Sequence, residues 1–167
     1  MKHKIATNTW DDAEIDAIRD VVLSDRLSMG EITEFYEKAI CQAFGSKYAV
    51  AVNSGSSANL LMVAAMSLRQ GVGTVIVPAI SWATSYSPFQ QYGWRLKFVD
   101  IDPQTLNYDV EALNNAYTGD ELILAVNILG NPNDYAQFPA LGNSLLEDNC
   151  EGMGAVYGGI PTGNFGS

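Results

Sequence analysis

Short, almost wholly apolar runs alternate with helical patterns along this chain, and this alternation restricts its fold more than any other feature. Most segments around these runs place apolar residues at positions i, i+3, i+4 and i+7, as helices with one buried face do. Strands that are apolar on both sides need cover on both faces of their sheet. The sequence therefore predicts an α/β fold, a three-layer sandwich around a mainly parallel sheet. About five strands are predicted, at residues 48–52, 74–77, 96–101, 122–129 and 144–147.

The composition argues against several classes of function. Apolar residues make up 47% and charged residues 17% of the chain, the balance of one ordinary globular domain, and no linker or internal repeat divides it. The net charge of −10 argues against nucleic acid or an anionic membrane as a partner. The two cysteines and the single histidine, His3, lack the spacing of a metal site. No membrane-spanning run and no signal-peptide pattern is present, so we expect a cytoplasmic protein without a metal.

Four stretches follow predicted strands at the carboxyl edge of the sheet, where ligands of open α/β sheets bind. The first reads N-S-G-S-S and leads into a helix, so Ser56 and Ser57 fall in the first helical turn. Unpaired backbone N–H groups and the positive end of the helix dipole favour an anion there. The two serines are therefore a candidate phosphate seat. On this stretch alone, however, a helix cap at Ser56 explains the pattern better.

Two other side chains at the same edge suggest a ring-shaped ligand. Asp148 follows the fifth predicted strand, and its carboxylate could cap a turn or hold a protonated ring nitrogen in the cationic state. Trp82 follows the second predicted strand and could stack on a ring, or be an ordinary core or surface aromatic. None of these groups is specific alone. A phosphate seat, an aromatic face and a carboxylate at one sheet edge together fit pyridoxal 5′-phosphate (PLP).

Four motifs, in order along the chain, resemble the DegT/DnrJ/EryC1/StrS family of fold-type I PLP enzymes, which act on nucleotide-linked keto sugars. The motifs are N-S-G-S-S-A-N-L-L, V-P-A-I-S-W-A-T-S, F-V-D-I-D-P-Q-T-L-N-Y-D and E-D-N-C-E-G-M-G. The resemblance implies a truncated fold-type I large domain that binds PLP or pyridoxamine 5′-phosphate. The residues that it assigns to the cofactor and its surroundings are Ser56, Ser57, Trp82, Asn127, Asp148 and Glu151.

The resemblance gives these residues distinct roles. Ser56 and Ser57 would hold the phosphate, Trp82 would stack on the pyridine ring, and Asp148 would pair with its nitrogen. Asn127 and Glu151 correspond to groups near the ring substituents or the substrate.

The branch of the family is suggested by L-G-N-P, E-D-N-C and T-G-N-F-G, which most resemble the sugar 3-dehydrases. That branch removes the 3-hydroxyl from a CDP-linked 4-keto hexose, whereas transamination is the alternative reaction. The resemblance also implies a nucleotide-linked sugar as substrate and a homodimer. A non-catalytic binding or interaction domain is the second interpretation. A Rossmann nucleotide-binding domain is disfavoured, because the turn lacks G-x-G-x-x-G.

The catalytic residue of the family has no counterpart in this sequence. The Schiff-base lysine, or the histidine that replaces it in the dehydrase branch, lies downstream of T-G-x-F-G and so beyond Ser167. We therefore expect one domain, residues 1–167, that corresponds to the N-terminal portion of a PLP-transferase large domain and is inactive alone. No matching motif surrounds any of the five lysines, which are Lys2, Lys4, Lys38, Lys47 and Lys97.

Two structural consequences follow from this truncation and from a short crossover. Without two later strands of the family, the first predicted strand is expected to pair beside the fifth, giving the sheet order 3-2-4-5-1. The crossover between residues 129 and 145 has room only for a short helix near residues 134–138.

Overall fold

The computed structural model describes residues 8–166; residues 1–7, which contain His3, Lys2 and Lys4, and Ser167 lie outside the described residues. The helices are α1 (Asp12–Leu23), α2 (Glu31–Phe44), α3 (Gly55–Gln70), α4 (Ala83–Gln91) and α5 (Val110–Ala116). The strands are β1 (Thr74–Pro78), β2 (Arg95–Val99), β3 (Leu122–Val126), β4 (Leu145–Asp148), β5 (Val156–Tyr157) and β6 (Ile160–Pro161). Two short 3₁₀ turns occupy Ile128–Gly130 and Tyr135–Gln137.

A four-stranded parallel sheet forms the centre of the fold, in the order β2-β1-β3-β4. Thr74 pairs with Arg95 at one end of the register, and Val126 pairs with Asp148 at the other. The predicted parallel α/β sheet is confirmed, as is the order of its last four predicted strands. The sheet has four strands, whereas about five were predicted.

Side chains alternate between the two faces of the sheet and bury a separate apolar cluster on each. Helices α3 and α4 cover one face, where the buried residues are Val63, Met66, Val75, Val77, Phe89, Trp94, Leu122, Leu124 and Leu146. Helix α5 and the loop before β4 cover the other, where they are Ile76, Val99, Tyr108, Leu113, Ile123, Ala125, Tyr135 and Leu145. This is the predicted three-layer arrangement, with β3 buried on both faces because it lies between β1 and β4.

The prediction of a strand at residues 48–52 is wrong. These residues form no strand, and Tyr48 and Val50 are 75% and 67% exposed. The last described residues approach the chain just before β4, where Gly142 N–H donates to Phe165 O and Gly142 bridges to Gly166. A strand needs a neighbour to receive its backbone hydrogen bonds. Of the predicted order 3-2-4-5-1, the structure therefore contains 3-2-4-5, which are β2-β1-β3-β4, and lacks the first predicted strand.

Helices α1 and α2 form as their sequence patterns predict, but neither contains a buried residue. Asp11 and Glu14 form a capping box at the start of α1, with Asp11 accepting a hydrogen bond from Ala13 N–H at 2.8 Å. Helix α2 ends at Gly45, whose φ of 70° suits glycine. Within residues 8–166, no helix combines the length and apolar character that crossing a membrane requires.

Candidate functional site

A cavity of about 520 Å³ opens at the carboxyl edge of the sheet, and we refer to it as the edge cavity. Its walls come from the start of α3, the segment between β1 and α4, and the residues that follow β3 and β4. This is the position at which open α/β sheets bind ligands, and the volume lies within the usual range for small-molecule sites. Its lining includes five of the six predicted residues, Ser56, Trp82, Asn127, Asp148 and Glu151.

The N-terminus of α3 forms one wall of the edge cavity. The helix cap is Ser54, whose hydroxyl accepts a hydrogen bond from Ser57 N–H at 3.2 Å, so the interpretation of Ser56 as the cap is wrong. The hydroxyl of Ser57 donates to Asn53 Oδ1 at 2.6 Å and stays within the turn. Ser57 does not line the cavity, whereas Ser56 does. Of the two predicted serines, Ser56 is therefore the one placed to meet a ligand.

Gly55 lies where α3 approaches the segment after β4 closely. A Cβ atom at this position would lie 2.6 Å from Cys150 Sγ, well inside normal contact distance. A larger residue would therefore require the Cys150 side chain to move. The glycine lets the helix N-terminus approach the residues that follow Asp148 without that change.

Asp148 is a buried carboxylate at the base of the edge cavity, with 5% of its surface exposed. Its Oδ2 accepts hydrogen bonds from Ser85 Oγ at 2.6 Å and Asn59 Nδ2 at 2.8 Å, and its Oδ1 accepts one from Cys150 N–H at 3.2 Å. Burial by itself would raise the pKa of Asp148, but these hydrogen bonds, together with one from the Cys150 thiol, outweigh it and hold the pKa below its usual value. A negative charge is thus fixed in the cavity wall at neutral pH.

Trp82 lies at the mouth of the edge cavity and is 77% exposed, so its ring is not part of the core. It is the residue before α4, in extended conformation, and its carbonyl accepts a hydrogen bond from Ser85 N–H at 2.9 Å. The neighbouring Ser81 also lines the cavity, and its Oγ is buried without a hydrogen-bond partner among the described residues. An exposed indole and an unpartnered hydroxyl are both available to a ligand here.

Asn127 and Glu151 lie at the edge cavity, and one side-chain oxygen of each accepts hydrogen bonds from the loop that follows β3. Asn127 is 1% exposed, and its Oδ1 accepts hydrogen bonds from Asn133 and Tyr135. Glu151 Oε2 accepts a hydrogen bond from Leu129 N–H at 2.5 Å. Leu129 has a φ of 53°, which is unusual for a bulky residue. The structure thus gives both side chains a role in holding the cavity wall.

Three residues that the sequence reasoning did not assign also belong to the site or its support. Asn59 and Ser85 donate to Asp148, and both lie within the quoted motifs, three residues after Ser56 and Trp82. Spacing of i, i+3 places Asn59 on the same face of α3 as Ser56, but no local signal pairs either Asn59 or Ser85 with Asp148. Glu147 is the third, and it binds backbone N–H groups of residues 163–166.

Glu147 points to the opposite face of the sheet from Asp148 and binds the last described segment. Its Oε1 accepts hydrogen bonds from Phe165 N–H at 2.6 Å and Gly166 N–H at 2.8 Å, and its Oε2 accepts one from Gly163 N–H at 2.9 Å. Tyr135 stacks on Phe165 with ring centroids 4.0 Å apart, and its hydroxyl reaches Glu147 Oε2 at 2.9 Å. Burial and the negative charge of Glu147 raise the pKa of Tyr135, so its hydroxyl remains a donor.

Comparison with known proteins shows the family to which the chain belongs. The model of the DegT/DnrJ/EryC1/StrS aminotransferase family matches residues 8–167. The chain belongs to this family. The chain is 48% identical to GDP-4-keto-6-deoxy-D-mannose 3-dehydratase of Escherichia coli O55:H7, over 99% of the chain and 45% of that enzyme. It is 32% identical to dTDP-4-dehydro-2,6-dideoxy-D-glucose 3-dehydratase of Saccharopolyspora spinosa, over 90% of the chain and 35% of that enzyme.

Solved structures of similar proteins have the same fold as this chain. The Escherichia coli GDP-4-keto-6-deoxy-D-mannose-3-dehydratase with bound hydrated PLP superposes with a TM-score of 0.90 and 46% identity, over 98% of this chain and 45% of that one. A 3-amino-5-hydroxybenzoic acid synthase reaches a TM-score of 0.80 at 25% identity, over 96% and 43%. The chain thus spans less than half the length of these relatives. The prediction of the 3-dehydrase branch agrees with the names of these relatives. Their named substrates carry GDP or dTDP, whereas the resemblance suggested CDP.

Proposed function

We propose that this chain forms the cofactor-binding part of a PLP-dependent enzyme that removes the 3-hydroxyl of a nucleotide-linked 4-keto sugar. The observation that carries the proposal is the buried, ionised Asp148 in the same cavity as the N-terminus of α3. A carboxylate held in that state suits a protonated pyridine nitrogen, and a helix N-terminus suits a phosphate. The unpartnered hydroxyl of Ser81 and the close approach at Gly55 are further features that fit a polar ligand.

Each predicted residue would then act on one part of the cofactor. Ser56 and the N–H groups of the first turn of α3 would bind the phosphate, with Ser57 supporting the turn through Asn53. Trp82 would stack on the ring, and Asp148 would keep the ring nitrogen protonated. PLP, once bound, supplies an electron sink next to the substrate carbon.

Two residues would act around the ring rather than on its nitrogen. Asn127 and Glu151 would shape the wall next to the ring substituents by holding the loop after β3. Pyridoxamine 5′-phosphate has the same phosphate and ring nitrogen, so the same residues would hold it.

The substrate and reaction are proposed from the relatives. A GDP-linked 4-keto-6-deoxymannose is the best-supported substrate, because the relatives at 47–48% identity are named as its 3-dehydratases. Among residues 8–166, no lysine or histidine lines the edge cavity. The proton transfers at the substrate carbon are therefore proposed to use a residue outside the described part of the chain. A non-catalytic interaction domain is not favoured, since it would have no use for a buried ionised carboxylate in a cavity.

A titration of the purified chain with PLP tests the proposal. We expect a change in visible absorbance and an upward thermal shift, because a ligand that binds the folded state stabilises it. Asp148→Asn and Ser56→Ala should both weaken binding, and Ser57→Ala should weaken it less. Asp120→Asn is the matched control, since Asp120 is an exposed carboxylate near the opposite end of β3. The absence of binding at millimolar PLP would favour the interaction domain instead.

We also propose that the protein assembles as a homodimer in the cytoplasm. The apolar residues exposed on α1 and α2 support the dimer, and the unpaired Cys41 and Cys150 are in keeping with a reducing compartment. Light scattering coupled to size exclusion measures the assembly directly. A monomer at micromolar concentrations would contradict the dimer.

A further inference from the structure

Two buried side chains on different helices donate to the same oxygen of Asp148. Asn59 lies on α3 and is 5% exposed, and Ser85 lies on α4 and is 1% exposed. Both reach Oδ2, while Oδ1 accepts a hydrogen bond from Cys150 N–H. The thiol of Cys150 is also hydrogen-bonded to the carboxylate, but Asn59 and Ser85 are the donors that come from the two helices.

Both donors line the edge cavity themselves, and each follows another lining residue by three positions. Asn59 follows Ser56 on α3, where three residues advance about 4.5 Å along the axis and return to the same face. Ser85 lies in the first turn of α4 and follows Trp82, the extended residue before that helix, whose carbonyl accepts from Ser85 N–H at 2.9 Å. Each helix thus connects one side of the edge cavity to the same carboxylate.

The two helices are also connected to each other at this point. Asn59 Nδ2 is 3.3 Å from the carbonyl oxygen of Thr84, in addition to its bond to Asp148. The amide therefore joins α3, α4 and the end of β4, three elements that approach the edge cavity from different directions. The donors to Asp148 are all uncharged, so they orient the carboxylate without neutralising it.

We propose that Asn59 and Ser85 are positioning residues that hold Asp148 at the edge cavity and fix its distance from Ser56 and Trp82. This inference rests on the proposed function, in which Ser56, Trp82 and Asp148 bind the phosphate, ring face and ring nitrogen of PLP. Asn59 and Ser85 also line the edge cavity, and the role proposed for them is exerted through their hydrogen bonds to Asp148. By fixing Asp148 relative to Ser56 and Trp82, Asn59 and Ser85 would keep the three binding groups at the distances that one rigid ligand requires.

The first experiment needs no cofactor. The carboxyl ¹³C signal of Asp148 is followed against pH by NMR in the wild-type chain, in Ser85→Ala and in Asn59→Ala. Loss of either donor leaves burial less compensated, so the pKa of Asp148 should rise by about one unit in each variant. Ser87→Ala is the matched control, because Ser87 lies on the same helix and makes no hydrogen bond to Asp148. An unchanged pKa of Asp148 in both variants would overturn the proposal.

The second experiment uses PLP labelled with ¹⁵N in its ring. In the wild type, the ring nitrogen should stay protonated to a higher pH than in Ser85→Ala or Asn59→Ala, by about one pH unit, and PLP should bind about tenfold more tightly. A merely structural role for the two residues would leave the ring ¹⁵N titration unchanged. Wild-type binding and ring titration retained in both variants would overturn the proposal even if the pKa of Asp148 rises.

The two experiments separate the failure of this inference from the failure of the proposed function. If the wild-type chain binds no PLP while the pKa of Asp148 rises in both variants, the proposed function is overturned and the support of Asp148 by the two helices is upheld. If PLP binds and neither variant changes the pKa or the ring titration, the cofactor assignment is upheld and the positioning role is overturned.

Discussion

The N-terminal segment, residues 8–54, and the sheet region, residues 55–166, satisfy the same local rules but bury very different amounts of apolar surface. Helix α1 has a capping box and α2 has a left-handed glycine at its end, yet neither buries a side chain. In the sheet region, β3 is only five residues long, and four of them are buried. Local signals decide whether an element forms, whereas burial depends on which partners lie beside it.

The exposed apolar residues of the N-terminal segment show that α1 and α2 have no packing partner among the described residues. Large side chains on both helices and around them remain more than 40% exposed, including Trp10, Ile18, Val22, Phe35 and Tyr36. Their spacing forms one face on each helix, as for helices that pack against a partner. The comparison therefore predicts two regions of unequal stability, and the mutations below test that inequality.

Truncating a buried leucine in the sheet region should have the largest effect. Leu124→Ala removes a fully buried side chain from β3 and should lower the free energy of unfolding by about 2–5 kcal/mol. The same change at Leu23, which is 75% exposed at the end of α1, should cost less than about 0.5 kcal/mol. Urea denaturation followed by circular dichroism measures both.

A large cost for Leu23→Ala would break the comparison. Such a result would mean that α1 is packed in solution, and a dependence of that cost on protein concentration would identify a second copy of the chain as the partner.

The two regions also differ in how many hydrogen bonds their carboxylates accept from backbone N–H groups. Glu147 accepts hydrogen bonds from three backbone N–H groups and from Tyr135, so Glu147→Gln should cost about 1–3 kcal/mol. In the N-terminal segment, Glu37 accepts one, from Ala51 N–H at 2.8 Å. Glu37→Gln should cost less than about 0.5 kcal/mol, because water replaces that bond readily. Equal costs in thermal unfolding would contradict the difference between the regions.

Acid should destabilise the sheet region, because two of its carboxylates have lowered pKa values. Burial alone would raise the pKa of Glu121, but hydrogen bonds from Thr118 and Lys97 lower it to about 2. A carboxylate whose pKa is lower in the folded state adds stability that is present above the unfolded pKa of about 4.3 and lost as the pH falls toward 2. Asp148 has a lowered pKa as well, so its contribution is lost on the same side.

The measurement is the free energy of unfolding at pH 6 and pH 3. Glu121→Gln should reduce the difference between the two values by about 1–2 kcal/mol. Glu111→Gln, at an exposed position on α5, serves as the control and should leave the difference unchanged. A wild-type stability that does not fall between pH 6 and pH 3 would contradict the prediction.

The same contrast explains which parts of the fold could be predicted. Helix periodicity and apolar runs are local, so all five helices and four of the five proposed strands could be read from the sequence. Residues 48–52 carry the same local signal but form no strand, because a strand also needs a neighbour to receive its backbone hydrogen bonds. The hydrogen bonds from residues 163–166 to Glu147 likewise join segments 16–19 residues apart, and no local pattern records them.

The site was predictable where its residues follow strands and not where they support one another. Ser56, Trp82 and Asp148 could be found because the carboxyl ends of parallel strands meet at one edge. Asn59 and Ser85 lie 89 and 63 residues from Asp148 in the sequence, so their hydrogen bonds to it needed the three-dimensional structure.

Loss of the cap of α1 should have a local effect and leave the global midpoint of unfolding unchanged. Asp11→Ala removes the side chain that accepts from Ala13 N–H and should cost the helix about 0.5–1 kcal/mol. Because α1 buries nothing, this loss should appear as a severalfold faster amide exchange within Asp12–Leu23, with no change in the midpoint of global unfolding. Asp109→Ala is the counterpart in the sheet region, where Asp109 caps α5 through Ala112 N–H at 3.0 Å. There Leu113 is fully buried against the sheet, so the same loss of a cap should lower the global midpoint.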